Sequence, residues 1–89
     1  MKAIVTVVGK DRVGIIAEVC AMLAEKNVNV MDISQTILQD YFTMIMMTDV
    51  SRCSVSFAEL ASILSSQGEA AGLDIHVQRE DIFNAMHRI

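Results

Sequence analysis

The stretch that decides the fold is Val30-Met31-Asp32-Ile33-Ser34-Gln35-Thr36-Ile37-Leu38-Gln39-Asp40-Tyr41-Phe42-Thr43-Met44-Ile45-Met46-Met47-Thr48-Asp49-Val50. Its first half alternates, with Met31, Ile33 and Ile37 on one face and Asp32, Ser34 and Thr36 on the other, which reads as a half-buried strand. Asp40 and its neighbours make a tight turn, and Tyr41 to Val50 returns as a second strand, so the two form a hairpin. In the returning strand Phe42, Met44, Met46 and Val50 point one way while Ile45 and Met47 point the other. Both faces are apolar, so the second must also find a cover.

On either side of the hairpin the period changes. Val13 to Lys26 carries Ile16, Val19, Cys20 and Leu23 at helical spacing, with Glu18 and Glu25 elsewhere on the wheel, and Asn27 to Asn29 ends it. Ser54 or Ser56 can cap a second helix that runs to Ala71 with the stripe Phe57, Leu60, Ala61 and Leu64, and Gly68 and Gly72 are its expected terminators. Outside the helices lie two more strands. Ala3 to Val8 is short, β-branched and closed by Gly9. Leu73 to Arg79 alternates strictly, with Leu73, Ile75 and Val77 facing in. A tail from Asp81 to Ile89 spaces Ile82, Phe83, Met86 and Ile89 as a further helix, with His87 and Arg88 near its end.

The order is strand, helix, strand, strand, helix, strand. With right-handed crossovers it predicts an α+β, ferredoxin-like βαββαβ sandwich: a four-stranded antiparallel sheet with two helices on one face, plus the C-terminal helix. At 89 residues the chain has room for one domain, 1–89. A domain this small buries only about 60 to 65% of its unfolded surface, so self-association is expected to help it, by edge pairing of the first strand or by packing of the uncovered sheet face.

Composition narrows the function. Seven Lys and Arg against eleven Asp and Glu give a formal charge of −4. With no basic cluster, nucleic acid is a poor partner. No run approaches the roughly 20 apolar residues of a membrane span, and no secretory signal is present. Cys20 and Cys53 are too few for a disulfide framework and fit a reduced, cytoplasmic setting. His76, His87, Cys20 and Cys53 form no catalytic or metal-binding constellation, so no enzyme and no cofactor are expected. Met44, Met46 and Met47 could attract Cu(I) through their thioethers, but in a strand they read as packing.

Two segments carry possible binding chemistry. Gly9-Lys10-Asp11-Arg12-Val13-Gly14-Ile15 joins the first strand to the first helix. Amide groups of a first helical turn lack internal partners and attract an anion such as a carboxylate, Gly14 permits close approach, Lys10 and Arg12 add positive charge, and Asp11 can cap the helix or hold an ammonium. The same residues also make an ordinary turn, with Gly9 at positive φ and Asp11 as N-cap. The second segment is Asn27-Val28-Asn29-Val30-Met31-Asp32, where Asn29 and Asp32 can meet the polar ends of a zwitterion, or where the asparagines only stop the helix.

Asp11-Arg12-Val13-Gly14-Ile15-Ile16-Ala17 resembles the Asp-Arg-Pro-Gly-Leu-Leu signature of ACT domains, with Val13 where proline is common. Asn27-Val28-Asn29-Val30-Met31-Asp32-Ile33 resembles the Asn-Ile-Asn-Ile-x-Asp stretch that follows it. The likeness spans essentially the whole chain and is strongest to small stand-alone bacterial ACT proteins, akin to the regulatory domains of glycine cleavage repressors. It implies a regulatory, non-catalytic module that binds an amino acid or other small effector at the interface of a homodimer or higher homo-oligomer. The ligand residues so implied are Asp11, Arg12, Val13, Gly14, Ile15, Asn29, Val30 and Asp32, with the turn of one subunit facing the second strand of its neighbour. The signal must then be read by another protein or by the paired subunits themselves. Two other classes compete: a pure protein-interaction module, and an acylphosphatase-like enzyme using Arg12 in the first strand-to-helix loop.

Overall fold

The computed structural model describes residues 1–81. Its elements are β1 (Lys2–Lys10), α1 (Ile15–Glu25), β2 (Asn29–Leu38), β3 (Tyr41–Asp49), α2 (Phe57–Ala70) and β4 (Leu73–Arg79). They form the expected ferredoxin-like arrangement, one sheet in the order β2-β3-β1-β4 with every neighbouring pair antiparallel. The first strand is therefore central. Flanked by β3 and β4, it has no free edge, so the edge pairing expected of it is excluded; the edges belong to β2 and β4.

The core lies between the sheet and the helices. Ala3, Val5 and Val7 of β1 sit opposite Thr48, Met46 and Met44 of β3, and all six are fully buried. Ile15, Val19 and Leu23 of α1 and Leu60 and Leu64 of α2 close over them. Burying a side chain of the Leu or Met size stabilises by roughly 1.5 to 3 kcal/mol, so this layer accounts for the cohesion of the fold. The single buried polar side chain among the described residues, Thr48, is satisfied: its hydroxyl donates to the Ala3 carbonyl at 2.9 Å.

Several expectations are corrected in phase rather than in kind. Helix α1 starts after Gly14, and its buried residues are Ile15, Val19 and Leu23; Ile16 is exposed and Cys20 half-buried. A helix that begins on Ile15 presents positions 15, 19 and 23 to the sheet, which turns the stripe by one residue. In α2 the buried line is Leu60, Leu64 and Gly68, so Gly68 is no terminator. A Cβ there would stand 2.8 Å from Ile75 Cγ1 and 3.1 Å from the Leu73 carbonyl, so glycine lets the helix settle on β4. Gly72, at φ 77°, ends the helix as expected.

Ser56 is the N-cap of α2. Its Oγ accepts the Glu59 amide at 3.2 Å while its hydroxyl donates to Glu59 Oε1 at 3.1 Å. Ser56→Ala is expected to lower stability by about 1 kcal/mol, read as a shifted urea midpoint at unchanged slope; an unmoved midpoint would show that the cap contributes nothing.

Strand β2 is not half-buried. A bulge at Met31 shifts its register against β3, between Val30 opposite Thr48 and Asp32 opposite Met47. From Met31 to Leu38 every residue is exposed, including Ile33, Ile37 and Leu38. On the face turned from the helices, Val8 and Ile45 are exposed as well, so the uncovered apolar set on β3 is Ile45 with Met47 rather than Phe42, Met44 and Met46. The helix expected over 81–89 lies outside the described residues apart from Asp81, which pairs with Arg79 through two bonds of 3.2 and 2.7 Å.

Candidate functional site

The bend between β1 and α1 is built on two glycines with different reasons. Gly9 is not at positive φ, contrary to expectation. A Cβ there would lie 2.7 Å from Leu73 Cδ2, so its role is close packing of β1 against β4. Gly14 is the left-handed residue, at φ 89° and ψ 3°, and it, not Asp11, is the N-cap of α1. It offers no side-chain cap, and its carbonyl accepts the Glu18 amide at 2.9 Å. The amides of Ile15, Ile16 and Ala17 therefore have no partner among the described residues. Nothing lies within 4 Å of a Cβ placed on Gly14, and Val13 beside it is 99% exposed. The bend opens to its surroundings.

Arg12 does not lend its charge freely to this opening. One guanidinium nitrogen donates to the Ala71 carbonyl at 3.0 Å and the other pairs with Glu18 at 3.0 Å. The side chain thereby ties the start of α1 to the end of α2. A loop arginine free to hold a phosphate is what favoured the acylphosphatase-like reading, and this arginine is engaged within the chain. Asp11 fixes the bend through its backbone, donating to the Asp40 carbonyl at 2.7 Å in the β2–β3 turn, while its carboxylate remains exposed.

Asn29, Val30 and Asp32 lie at the other end of α1. The helix has 11 residues, and at ~1.5 Å per residue it separates Gly14 from Asn27 by about 16 to 20 Å. Asn27 adopts φ 60°, the left-handed stop expected of it, and its side-chain amide donates to the Arg52 carbonyl at 2.8 Å. Asp32 Oδ1 accepts the Ile33 amide at 2.9 Å. Within one chain the eight residues form two separate groups, Asp11 to Ile15 and Asn29 to Asp32.

Beside the second group is a half-open cleft of about 610 Å³, lined by Ala24, Asn27, Val28, Asn29, Asp49, Ser51 and Arg52. Asp49 Oδ1 accepts both the Ser51 amide at 2.9 Å and the Ser51 hydroxyl at 2.7 Å, and these bonds hold its carboxyl below the ordinary value of 3.8. Residues 49–52 read in sequence only as a strand end and polar loop. No local pattern marks them, because the sheet pairing Asn29 with Asp49 is what gathers them.

Among the described residues no group of three or more His, Cys, Asp or Glu could hold a metal, and no helix is long and apolar enough to cross a membrane. Met44 and Met46 are fully buried in the core, and Met47 is half-buried.

Known proteins match this architecture at several levels. A model of the ACT domain family matches residues 2–78. A UPF0237 protein of Clostridium acetobutylicum is 55% identical over 89 residues, all of both chains. Among solved structures, an ACT domain protein from Streptococcus pneumoniae is 42% identical, with a TM-score of 0.82 and 93% of each chain covered. The regulatory subunit of aspartate kinase from Thermus thermophilus shares the fold at 22% identity and a TM-score of 0.64, covering 86% of this chain and half of that one. The βαββαβ sheet, the glycine-led bend and the matched residues agree, and the chain belongs to the ACT domain family.

Proposed function

We propose that this ACT domain is a non-catalytic, cytoplasmic regulatory module that binds an amino acid between two copies of itself. The observation that carries the reading is the bare first turn of α1, where Gly14 leaves the amides of Ile15, Ile16 and Ala17 unpartnered and unobstructed. A carboxylate of the effector sits on these amides, between Val13 and Ile15, where the helix dipole favours negative charge. Because Glu18 already neutralises Arg12, the amides rather than the guanidinium supply most of the attraction, and Arg12 shapes the bend. The effector's ammonium is met by the Asp11 carboxylate, or by Asp32 and the Asn29 side-chain oxygen at the start of β2 in the neighbouring copy, with Val30 flanking them.

Strand β2 supports the shared site. Among the described residues it is an edge strand whose outer backbone groups have no partner strand, and it carries exposed Met31, Ile33, Ile37 and Leu38. A second copy laid along it covers these side chains and brings a second bend toward Asn29 to Asp32. Effector binding then favours one packing of the copies over another, and a partner protein reads the difference. The alternative, an interaction module without a small ligand, uses the same exposed strand and leaves the amides to water.

The full chain at micromolar concentration is expected to sediment as a dimer or larger. In a thermal melt against the twenty amino acids, at least one should raise the midpoint, since a ligand at 100 times its Kd adds about 2.7 kcal/mol to a folded state that alone binds it. An oligomer that no amino acid stabilises would favour the interaction module, and a monomer would contradict the reading that places the effector between two copies.

A further inference from the structure

Ile4 is buried for no reason that the core supplies. It is 5% exposed, yet among the described residues it is the one buried apolar side chain that takes no part in the cluster between sheet and helices. Its neighbours Ala3 and Val5 point into that cluster, so strand alternation turns Ile4 to the opposite face of the sheet. There it lies between Met47 of β3 and Gln78 of β4, both half-buried. Cover declines along the same face: Thr6 is half-buried, Val8 is 37% exposed and Ile45 41%. Helices α1 and α2 both pack on the other side, and sheet neighbours of equal height do not roof a side chain. Ile4 is buried within the single chain, so its cover belongs to the chain itself.

We propose that the outer face of the sheet is a docking surface for the chain's own carboxy-terminal segment, residues 82–89, which lies across it at the Ile4 end and packs on Ile4 and Met47. The place where the described chain ends supports this occupant. Strand β4 finishes at Arg79, opposite Ala3 and so beside Ile4, and Glu80 and Asp81 already have helical conformation. Eight residues follow. As a helix they span about 12 Å, enough to pass from β4 over β1 to β3 at roughly 4.8 Å per strand. Ile82, Phe83, Met86 and Ile89 fall on one stripe, the stripe that needs an apolar surface, with Glu80 and Asp81 before it and His87 and Arg88 near its end as a helix dipole favours. The seated segment takes the ground that a face-to-face pairing of two sheets needs, and it leaves Val8 and Ile45 as the open end of this face. Residues 11–15 and 29–32 have no part in the docking, so it stands or falls apart from the effector site.

The test is NMR on the full chain with labelled Ile and Met methyls. Nuclear Overhauser contacts are expected from the Phe83 ring to the methyls of Ile4 and Met47, and an equal mixture of labelled and unlabelled chains should show that they arise within one chain. Phe83→Asp, which places a charge on the apolar stripe, is expected to unseat the segment, to erase those contacts and to raise the fluorescence of added anilinonaphthalene sulfonate at least threefold as Ile4 and Met47 become accessible. Phe83→Leu keeps the stripe apolar and should leave the dye signal near that of the wild type. Absence of any contact between Phe83 and Ile4 in the wild-type chain would overturn the proposal. So would contacts found only between different copies, which would make a second chain the occupant, or a dye signal that Phe83→Asp leaves unchanged.

Discussion

Gly68→Val is expected to destabilise the domain by about 3 kcal/mol or more, a large part of the stability of a fold this small. The reason is contact geometry. A Cβ on Gly68 would stand 2.8 Å from Ile75 Cγ1, 2.9 Å from Ile75 Cδ1 and 3.1 Å from the Leu73 carbonyl, and the branched methyls add to it. Ile75 is itself fully buried, so it has nowhere to withdraw, and the carbonyl belongs to the sheet backbone. Helix α2 must lift from β4, and the contacts of Leu60 and Leu64 loosen with it. For a domain of this size each kcal/mol moves Tm by roughly 4 to 8 °C, so the variant should melt at least 10 °C lower, if it folds at all. Gly68→Ala separates space from helix propensity. Alanine gains up to about 1 kcal/mol as a helix former, so a net loss in that variant shows that the gap is closed, whereas a gain shows that Ile75 yields.

Gly14→Val should do the opposite: little to the fold and much to binding. Beyond Gly14 and its two chain neighbours no atom lies within 4 Å of the new Cβ, so the cost is conformational, about 1 to 2 kcal/mol for a branched residue held at φ 89°. The side chain then projects beside the amides of Ile15 and Ile16. A charge-assisted hydrogen bond contributes about 1.5 to 3 kcal/mol, so losing two weakens a bound carboxylate more than 100-fold. Calorimetry with the amino acid that stabilises the wild-type chain measures this directly. Wild-type affinity in a folded Gly14→Val protein would remove the carboxylate from this bend, while leaving the family assignment untouched.

What could be read from residues alone, and what could not, follows from how local each cause is. Alternation in Leu73 to Arg79 and in Val30 to Gln39, and the helical spacing between them, gave the element order, because period is a property of neighbouring residues. The phase of α1 depended on where the helix begins, which Gly14 decides through a left-handed φ that Asp11 does not adopt. Gly68 was misread because an interior glycine looks like a stop until Ile75, seven residues on, is seen beneath it. The exposure of β2 was hidden for a similar reason: its alternation is that of a covered strand, but its place at the edge is fixed by β1 pairing with both β3 and β4. Of the candidate site, the Gly14 bend was legible as a motif. The engagement of Arg12 by Ala71, 59 residues away, was not, nor was the cleft, which exists only because Asn29 and Asp49 face one another across two strands.

Arg12 acts as a strap between the two helices, and that sets what an arriving anion can move. Under the proposed binding, a carboxylate resting on the Gly14 bend would compete with Glu18 for Arg12 Nη1, while Nη2 remains on the Ala71 carbonyl. Ala71 and Gly72 launch β4, the edge of the sheet farthest from β2. Occupancy of the bend would in this way reach the turn that launches β4 through a single side chain.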